Sequence, residues 1–345
     1  MSDIPDHVVN SFLHFAEICE DQCPLYALLA TRITQEPEIL AIAAHHQKRQ
    51  PAVNMLFGSV LFLLLSGVEH PLRSFYATLG GSKPATEAWP VFLDFCRVHK
   101  QNLIPLVTHG RVQTNEIGRC GLLMPALAAA YQALGASRPL HLIEVGASAG
   151  LNLLFDRYQY RYSNGITAGP DSPVVIQTEL VGDHPPHIPD CLPPVTARVG
   201  IDIAPIDVMD EAAMQWVEAL IWPDESDRVQ MHRAARQIAQ TDPPTLIAGD
   251  GLELVPQVLA DVSPDAIPCI YHSHAVYQMP KKWRADFDAR LNDLGAQRDL
   301  AYVSLEWLDP HPGPRLEMSL WHDGTRTDRL IATCHHHGRW LVGCP

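Results

Sequence analysis

The residues best suited to chemistry lie on one short stretch. His141-Leu-Ile-Glu-Val145 is an apolar run of strand length, Gly146-Ala-Ser-Ala-Gly150 is a turn of small residues, and Leu151-Asn-Leu-Leu-Phe155 reads as the start of a helix. Together they form the cradle of a nucleotide-type ligand, because small side chains let the backbone approach and amides at the helix start point toward it. Glu144, Gly146, Ser148, Gly150 and Asn152 are its candidate ligand residues. Two more strand-like runs end in an acid. Asp202 closes Ala197-Arg-Val-Gly-Ile-Asp202, where a carboxylate can accept both hydroxyl protons of a ribose. Asp250 closes Thr245-Leu-Ile-Ala-Gly-Asp250, where an acid and its neighbouring backbone can meet an adenine amino group. Ser148 stands where this pattern commonly has glycine, and it fits without strain only if its φ is negative.

The same five residues also match the G-x-S-x-G elbow of a serine hydrolase of the α/β type, with Asp250 and then His272 or His274 following in the chain order of a triad. A hydrolase elbow follows several strands of its sheet. Here every element before residue 140 reads as helix, so the Gly-rich strand is expected to come first and Ser148 is not expected to be a nucleophile. Ile270-Tyr-His-Ser-His274 ends the fourth strand, and His272, His274 or Tyr277 could orient or deprotonate an acceptor there. Gln113-Thr-Asn-Glu-Ile-Gly-Arg119 is a dense polar run, with Thr114 or Asn115 as a candidate cap of the helix that follows. Gln113, Asn115, Glu116 and Arg119 are expected to form part of a lid supplied by the helical region. No metal site is expected: His335-His336-His337 alternate across a strand, and His184, His187 and Cys191 lack a fourth ligand.

Two kinds of pattern must hold these groups. From about residue 6 to 135 apolar residues recur at helical spacing, as in Phe12, Phe15, Ile18 and Leu56, Val60, Leu63, Leu64, punctuated by prolines that start or stop helices. This predicts a helical cap domain over 1–135. After Pro139 short apolar runs alternate with amphipathic segments, which predicts a mainly parallel sheet over 136–345. Strands are expected at 141–146, 197–202, 245–249, 268–273, 301–306, 316–321 and 329–334. Helices are expected at 151–158, 211–222, 225–240, 252–261 and 281–294. The last strands, joined through Gly313 and Asp323-Gly324, read as a closing antiparallel hairpin. An insertion at 159–195, rich in Pro, Gly and His, interrupts the pattern and is expected to hold a hairpin from Tyr158–Tyr162 to Val174–Leu180. Trp216 and Trp222 read as core packing.

Composition narrows the partners. The 345 residues are 47% hydrophobic, enough for a sizeable core, and carry 25 Lys plus Arg against 39 Asp plus Glu, a formal charge of −14 with no basic run. Nucleic acid is therefore not an expected partner. The eight cysteines are scattered with no CxxC pair and read as reduced thiols of a cytoplasmic protein. No signal peptide opens the sequence, and its most apolar segment, Leu56 to Leu65, is far short of the ~20 residues that cross a bilayer. Neither export nor a membrane span is expected.

The run LIEVGASAGLNLLFDRYQY, with QTNEIGR before it and GIDIAPIDV and ALIWPDESDR after it, resembles the bacterial family known as domain of unknown function 2332. The likeness extends from Pro24-Leu25-Tyr26 to about residue 310. At Glu144, Gly146, Gly150, Asp202 and Asp250 the chain is also similar to class I S-adenosylmethionine-dependent methyltransferases. That resemblance implies a Rossmann-like seven-stranded α/β domain under the helical cap, a ligand crevice between them, and S-adenosylmethionine as cofactor. It further implies methyl transfer to a small-molecule or protein acceptor. A non-catalytic protein that keeps the adenosyl pocket is the remaining reading.

Overall fold

The computed structural model describes residues 4–344. They divide into two compact units, one taking in residues up to Thr114 with Asp210–Gln230, the other Asn115–Met209 with residues from Met231 onward. Each hydrophobic pattern read from the sequence corresponds to real elements.

In the first unit every regular element is helical. Pro24 and Pro37 open the helices Pro24–Ile33 and Pro37–Ala43, and Pro51 caps Ala52–Leu65, positions where a missing N–H costs nothing. The core is aromatic: Tyr26 stacks on Phe57 at 4.2 Å, with Phe12, Phe15 and Phe92 edge-on or tilted around Phe57 or Tyr26. The helix Glu211–Ala219 belongs to this unit, and Trp216 and Trp222 pack half-buried against its core.

The second unit is built on a sheet whose strands are β1 (Leu140–Val145), β2 (Gln159–Tyr162), β3 (Thr167–Ala168), β4 (Val175–Val181), β5 (Val195–Asp202), β6 (Thr245–Ala248), β7 (Ile267–Ser273), β8 (Leu300–Glu306), β9 (Arg315–His322), β10 (Thr325–Cys334) and β11 (Trp340–Gly343). Their order is β3-β2-β4-β11-β10-β9-β8-β7-β1-β5-β6. The expected sheet of seven strands is thus one of eleven. All seven expected strands are present and contiguous, from β10 to β6, and the other four extend the sheet beyond β10. Neighbours β8, β7, β1, β5 and β6 run parallel, and β9 and β10 close the series antiparallel. No strand precedes Leu140 among the described residues.

Two local expectations are corrected. β2 and β4 pair in parallel, Gln159 beside Val175, rather than as a hairpin. The chain reversal is used by β3, which turns back through Asn164 and Gly165 onto β2, so β4 enters in the direction of β2. The helix after the Gly-rich turn is a 3₁₀ helix, Leu151–Arg157, kinked at Leu154. The Tyr158 and Tyr160 hydroxyls donate to the carbonyls of Leu151 and Phe155 at 2.6 Å, acceptors that an α-helix would use four residues on. By contrast Asp323-Gly324 forms the expected two-residue β9–β10 turn, with both φ values positive. No helix of the described residues is long and apolar enough to cross a membrane.

Candidate functional site

The order β6-β5-β1-β7-β8 reverses direction in sequence between β1 and β7, and ligands of doubly wound sheets bind outside the carboxyl ends of the strands at such a switch point. Glu144 is the penultimate residue of β1 there, and the Gly-rich turn follows Val145. A Cβ on Gly146, whose φ is +80°, would collide with Ala275 just beyond β7, so the turns after β1 and β7 touch. Gly150, at φ +72°, would drive a Cβ to 2.6 Å from Pro244. Both glycines are therefore required by backbone sign and by space.

The turn spends its own donors. Gly146 and Ala147 N–H donate to the Ile201 carbonyl at 2.7 and 3.3 Å, and Gly150 N–H to Ala147 at 2.7 Å. Ser148 N–H donates to Asp202 Oδ2 at 2.8 Å. The amides of Ala149 and Leu151 both reach Asn115 Oδ1 at 3.1 Å. Asp202 also accepts from Ala204 N–H at 2.9 Å. Every amide from Gly146 to Leu151 thus has a protein acceptor, in contrast to the expectation of amides aimed at a ligand.

Asn115, expected in a lid or at a cap, instead anchors the turn from within the same unit. Replacing it by alanine should orphan two buried amides at about 1–3 kcal/mol each, some 2–6 kcal/mol in all. Hydrogen exchange at Ala149 and Leu151 should accelerate accordingly, and unchanged protection of both amides in Asn115→Ala would remove Asn115 from this role. Glu116 and Arg119 are likewise buried, and Gln113 falls in the other unit. Arg119 donates to the His336 carbonyl at 2.9 Å and to the Ser273 carbonyl at 3.3 Å, tying the polar run to the loop after β10 and the end of β7.

Two side chains at the switch point are strained and carry unpartnered buried atoms. Ser148 has φ +53°, against the negative φ expected for an unstrained serine, and its Oγ is buried without a hydrogen-bond partner. His274 has φ +49°, and its Nε2 is also buried without one. Left-handed backbone costs a non-glycine residue about 1–2 kcal/mol, and such strain concentrates at functional sites. Burial and the nearby Arg119 charge push the His274 pKa down to about 3, so its ring is neutral near neutral pH. It can take part in a hydrogen bond but is a poor proton acceptor.

Glu144 is 1% exposed, accepts a 3.5 Å hydrogen bond from Tyr271 and has its pKa pushed up to about 8 by burial, with the Asp202 charge adding to the shift. Asn152, beside it and buried, accepts from Cys120 Sγ through Oδ1 at 3.4 Å. Asp250 caps the helix Gly251–Ala260, its Oδ1 accepting from Leu252 N–H and from the Trp283 indole, both at 2.8 Å. The ring of Tyr277, half exposed, stands edge-on to that of His274 at 6.3 Å.

His272 does not join this group. Side chains alternate across a strand, so His272 faces away from Tyr271 and Glu144. Its Nδ1 is 2.6 Å from Glu306 Oε1 and its Nε2 is 2.6 Å from the Tyr302 hydroxyl. Glu306, which the sequence reading passed over, also accepts from the amides of Ala275, Val276 and Tyr277 at 2.9–3.1 Å, holding the whole loop after β7. The signal that found Asp202, an acid closing an apolar strand run, is equally present in Leu300–Glu306.

The chain matches the family profile described as an uncharacterized protein conserved in bacteria, domain of unknown function 2332, over residues 9–342. It belongs to that family. The match takes in the polar run, the Gly-rich turn, Asp202, Asp250 and the strands that carry them. No curated protein matches the chain.

Proposed function

We propose that the switch-point site binds S-adenosylmethionine and that the protein is a methyltransferase acting on a small-molecule or protein acceptor. The observation that carries this reading is the inversion of the turn's polarity. With all six amides paired internally, the turn has no nest for a pyrophosphate, which disfavours a dinucleotide. What the strand ends offer instead are carboxyl groups, Glu144, Asp202 and Asp250, which suit a ligand rich in donors and positive charge. Ribose hydroxyls, an adenine amino group and an ammonium are such donors, and S-adenosylmethionine also supplies an electrophilic methyl group.

In this reading Asp202, already oriented by two amides, accepts from the ribose, and Glu144 faces the ammonium. A cation beside Glu144 lowers its pKa, so binding near neutral pH is coupled to release of a proton. Ser148 Oγ and the neutral His274 Nε2 orient the acceptor. Alkyl transfer of this kind depends mainly on positioning, in keeping with a site that holds no strong base.

The test is a melting series of the full chain with S-adenosylmethionine, S-adenosylhomocysteine and NAD. Upward shifts with the two adenosyl compounds alone are expected, since a ligand at about 100 times its Kd adds about 2.7 kcal/mol. Asp202→Asn should weaken binding by about one to two orders of magnitude, with the unliganded melting point recorded in parallel because Asp202 also holds the turn. A shift with NAD alone sinks the reading. Binding without turnover over a broad acceptor screen would make the protein an adenosyl-ligand sensor.

The positive φ of Ser148 favours one second reading, the strained elbow of a serine hydrolase. Its Oγ, however, has no imidazole partner, and among the described residues no strand precedes β1 as that fold requires. Labelling by a fluorophosphonate that vanishes in Ser148→Ala would establish the hydrolase instead.

A further inference from the structure

On the sheet face opposite Glu144, a cavity of about 210 Å³ lies over β7, β8, β9 and β10 beside the helix Lys281–Gly295. It is smaller than the ~300–1,000 Å³ of drug-sized pockets and matches a ligand of a few carbons. One wall is apolar, from Val276, Phe287 and Leu308. The rest is charged or hydroxylic, and the charges are unevenly matched. Glu317 is paired with Arg315 at 2.8 Å, and Asp288 with Arg326 at 2.8 Å. Arg284 lines the same cavity half-buried, and its guanidinium has no ion pair or hydrogen bond among the described residues. Arg326 is shared with Asp328 at 2.8 Å, which leaves Arg284 as the charge of the wall without an ion-pair partner among the described residues.

The hydroxyls of the wall are ordered from behind. Glu306 is buried, which opposes ionisation, but the His272 hydrogen bond and charge and the amides of Val276 and Ala275 outweigh this and hold its pKa below the ordinary range. An ionised Glu306 can only accept, so His272 donates to it from Nδ1. The Tyr302 hydroxyl, held by His272 Nε2 at 2.6 Å and hydrogen-bonded to Ser304, lines the cavity in a fixed position. An unpaired cation and an ordered hydroxyl pair, set across a small apolar wall, suit a ligand with an anionic head and one hydroxyl.

We propose that this cavity binds a small hydroxycarboxylic acid, its carboxylate on Arg284 and its hydroxyl on the Tyr302–Ser304 pair. The site stands independently of the adenosyl-ligand reading. The test is calorimetric titration of the full chain with hydroxy acids of two to five carbons, matched deoxy acids and matched diols, at millimolar concentration. Hydroxy acids should bind best, deoxy acids several-fold more weakly, and diols not at all. Arg284→Gln should weaken the hydroxy acids by about 10- to 100-fold, since a charge-assisted pair is lost. Tyr302→Phe should bring hydroxy acids to the level of deoxy acids while leaving the latter unchanged. If no acid of the panel binds, or Arg284→Gln binds them as wild type does, the proposal is overturned. Arg284 is half-buried on a helix, so unchanged circular dichroism of that variant separates lost binding from lost fold, and should Tyr302→Phe fail to fold, Arg284→Gln decides.

Discussion

Glu306→Ala is expected to cost about 4 kcal/mol and to leave much less folded protein. One carboxylate takes the amides of Ala275, Val276 and Tyr277 and the imidazole of His272, all within 3.1 Å. Removing it orphans the buried Val276 amide and His272 imidazole at about 1–3 kcal/mol each, and the part-buried Ala275 and Tyr277 amides at less, against a whole-domain stability of about 5–15 kcal/mol. Glu306→Gln keeps one acceptor oxygen and should lose about half as much. Denaturant unfolding followed by tryptophan fluorescence, with Trp283 and Trp321 in the second unit, measures both, and an alanine variant within ~1 kcal/mol of wild type would refute the assignment. Because the folded pKa of Glu306 lies below its unfolded value, the unfolded chain binds more protons near that range. Its stabilisation is therefore present above the ordinary carboxylate pKa and is lost as pH falls through the folded one.

Glu144 works in the opposite sense. With its pKa pushed from 4.5 to about 8 by burial, the folded protein holds a proton that the unfolded chain releases. Its contribution is fully present below pH 4.5 and is lost as pH rises toward 8, at about 1.4 kcal/mol per unit and about 5 kcal/mol in all. Glu144→Gln, neutral at every pH, should erase this decline. Its stability relative to wild type should grow steadily between pH 5 and 8. Parallel pH profiles for the two proteins would show that Glu144 titrates normally.

The seven strands that the sequence predicts are runs rich in apolar residues, and β1 and β7 among them are buried on both faces. β2 and β4 were legible as extended segments of the insertion but not as a parallel pair, while β3 and β11 escaped because Thr167-Ala168 and Trp340–Gly343 are only two and four residues long. The acids at the ends of β1, β5 and β6 were legible because each closes an apolar run. Their hydrogen-bond partners were not, since Asn115 reaches Ala149 across 34 residues and Glu306 reaches Ala275 across 31. The sign of φ at Ser148 and His274 is likewise set by neighbours distant in sequence, and local propensity favours negative φ at both.

The position of β11 bears on how the protein folds. This four-residue strand alone joins the three strands of the insertion to the seven expected ones, and Thr178 bonds to Gly338 across 160 residues of chain. Closing so large a loop must precede the β4–β11 bonds that offset its entropy. On a ribosome the β4 edge is made long before its partner exists. Until Trp340–Gly343 emerges, that edge presents unpaired backbone groups, and a nascent chain stalled at this stage is open to pairing with the wrong strand.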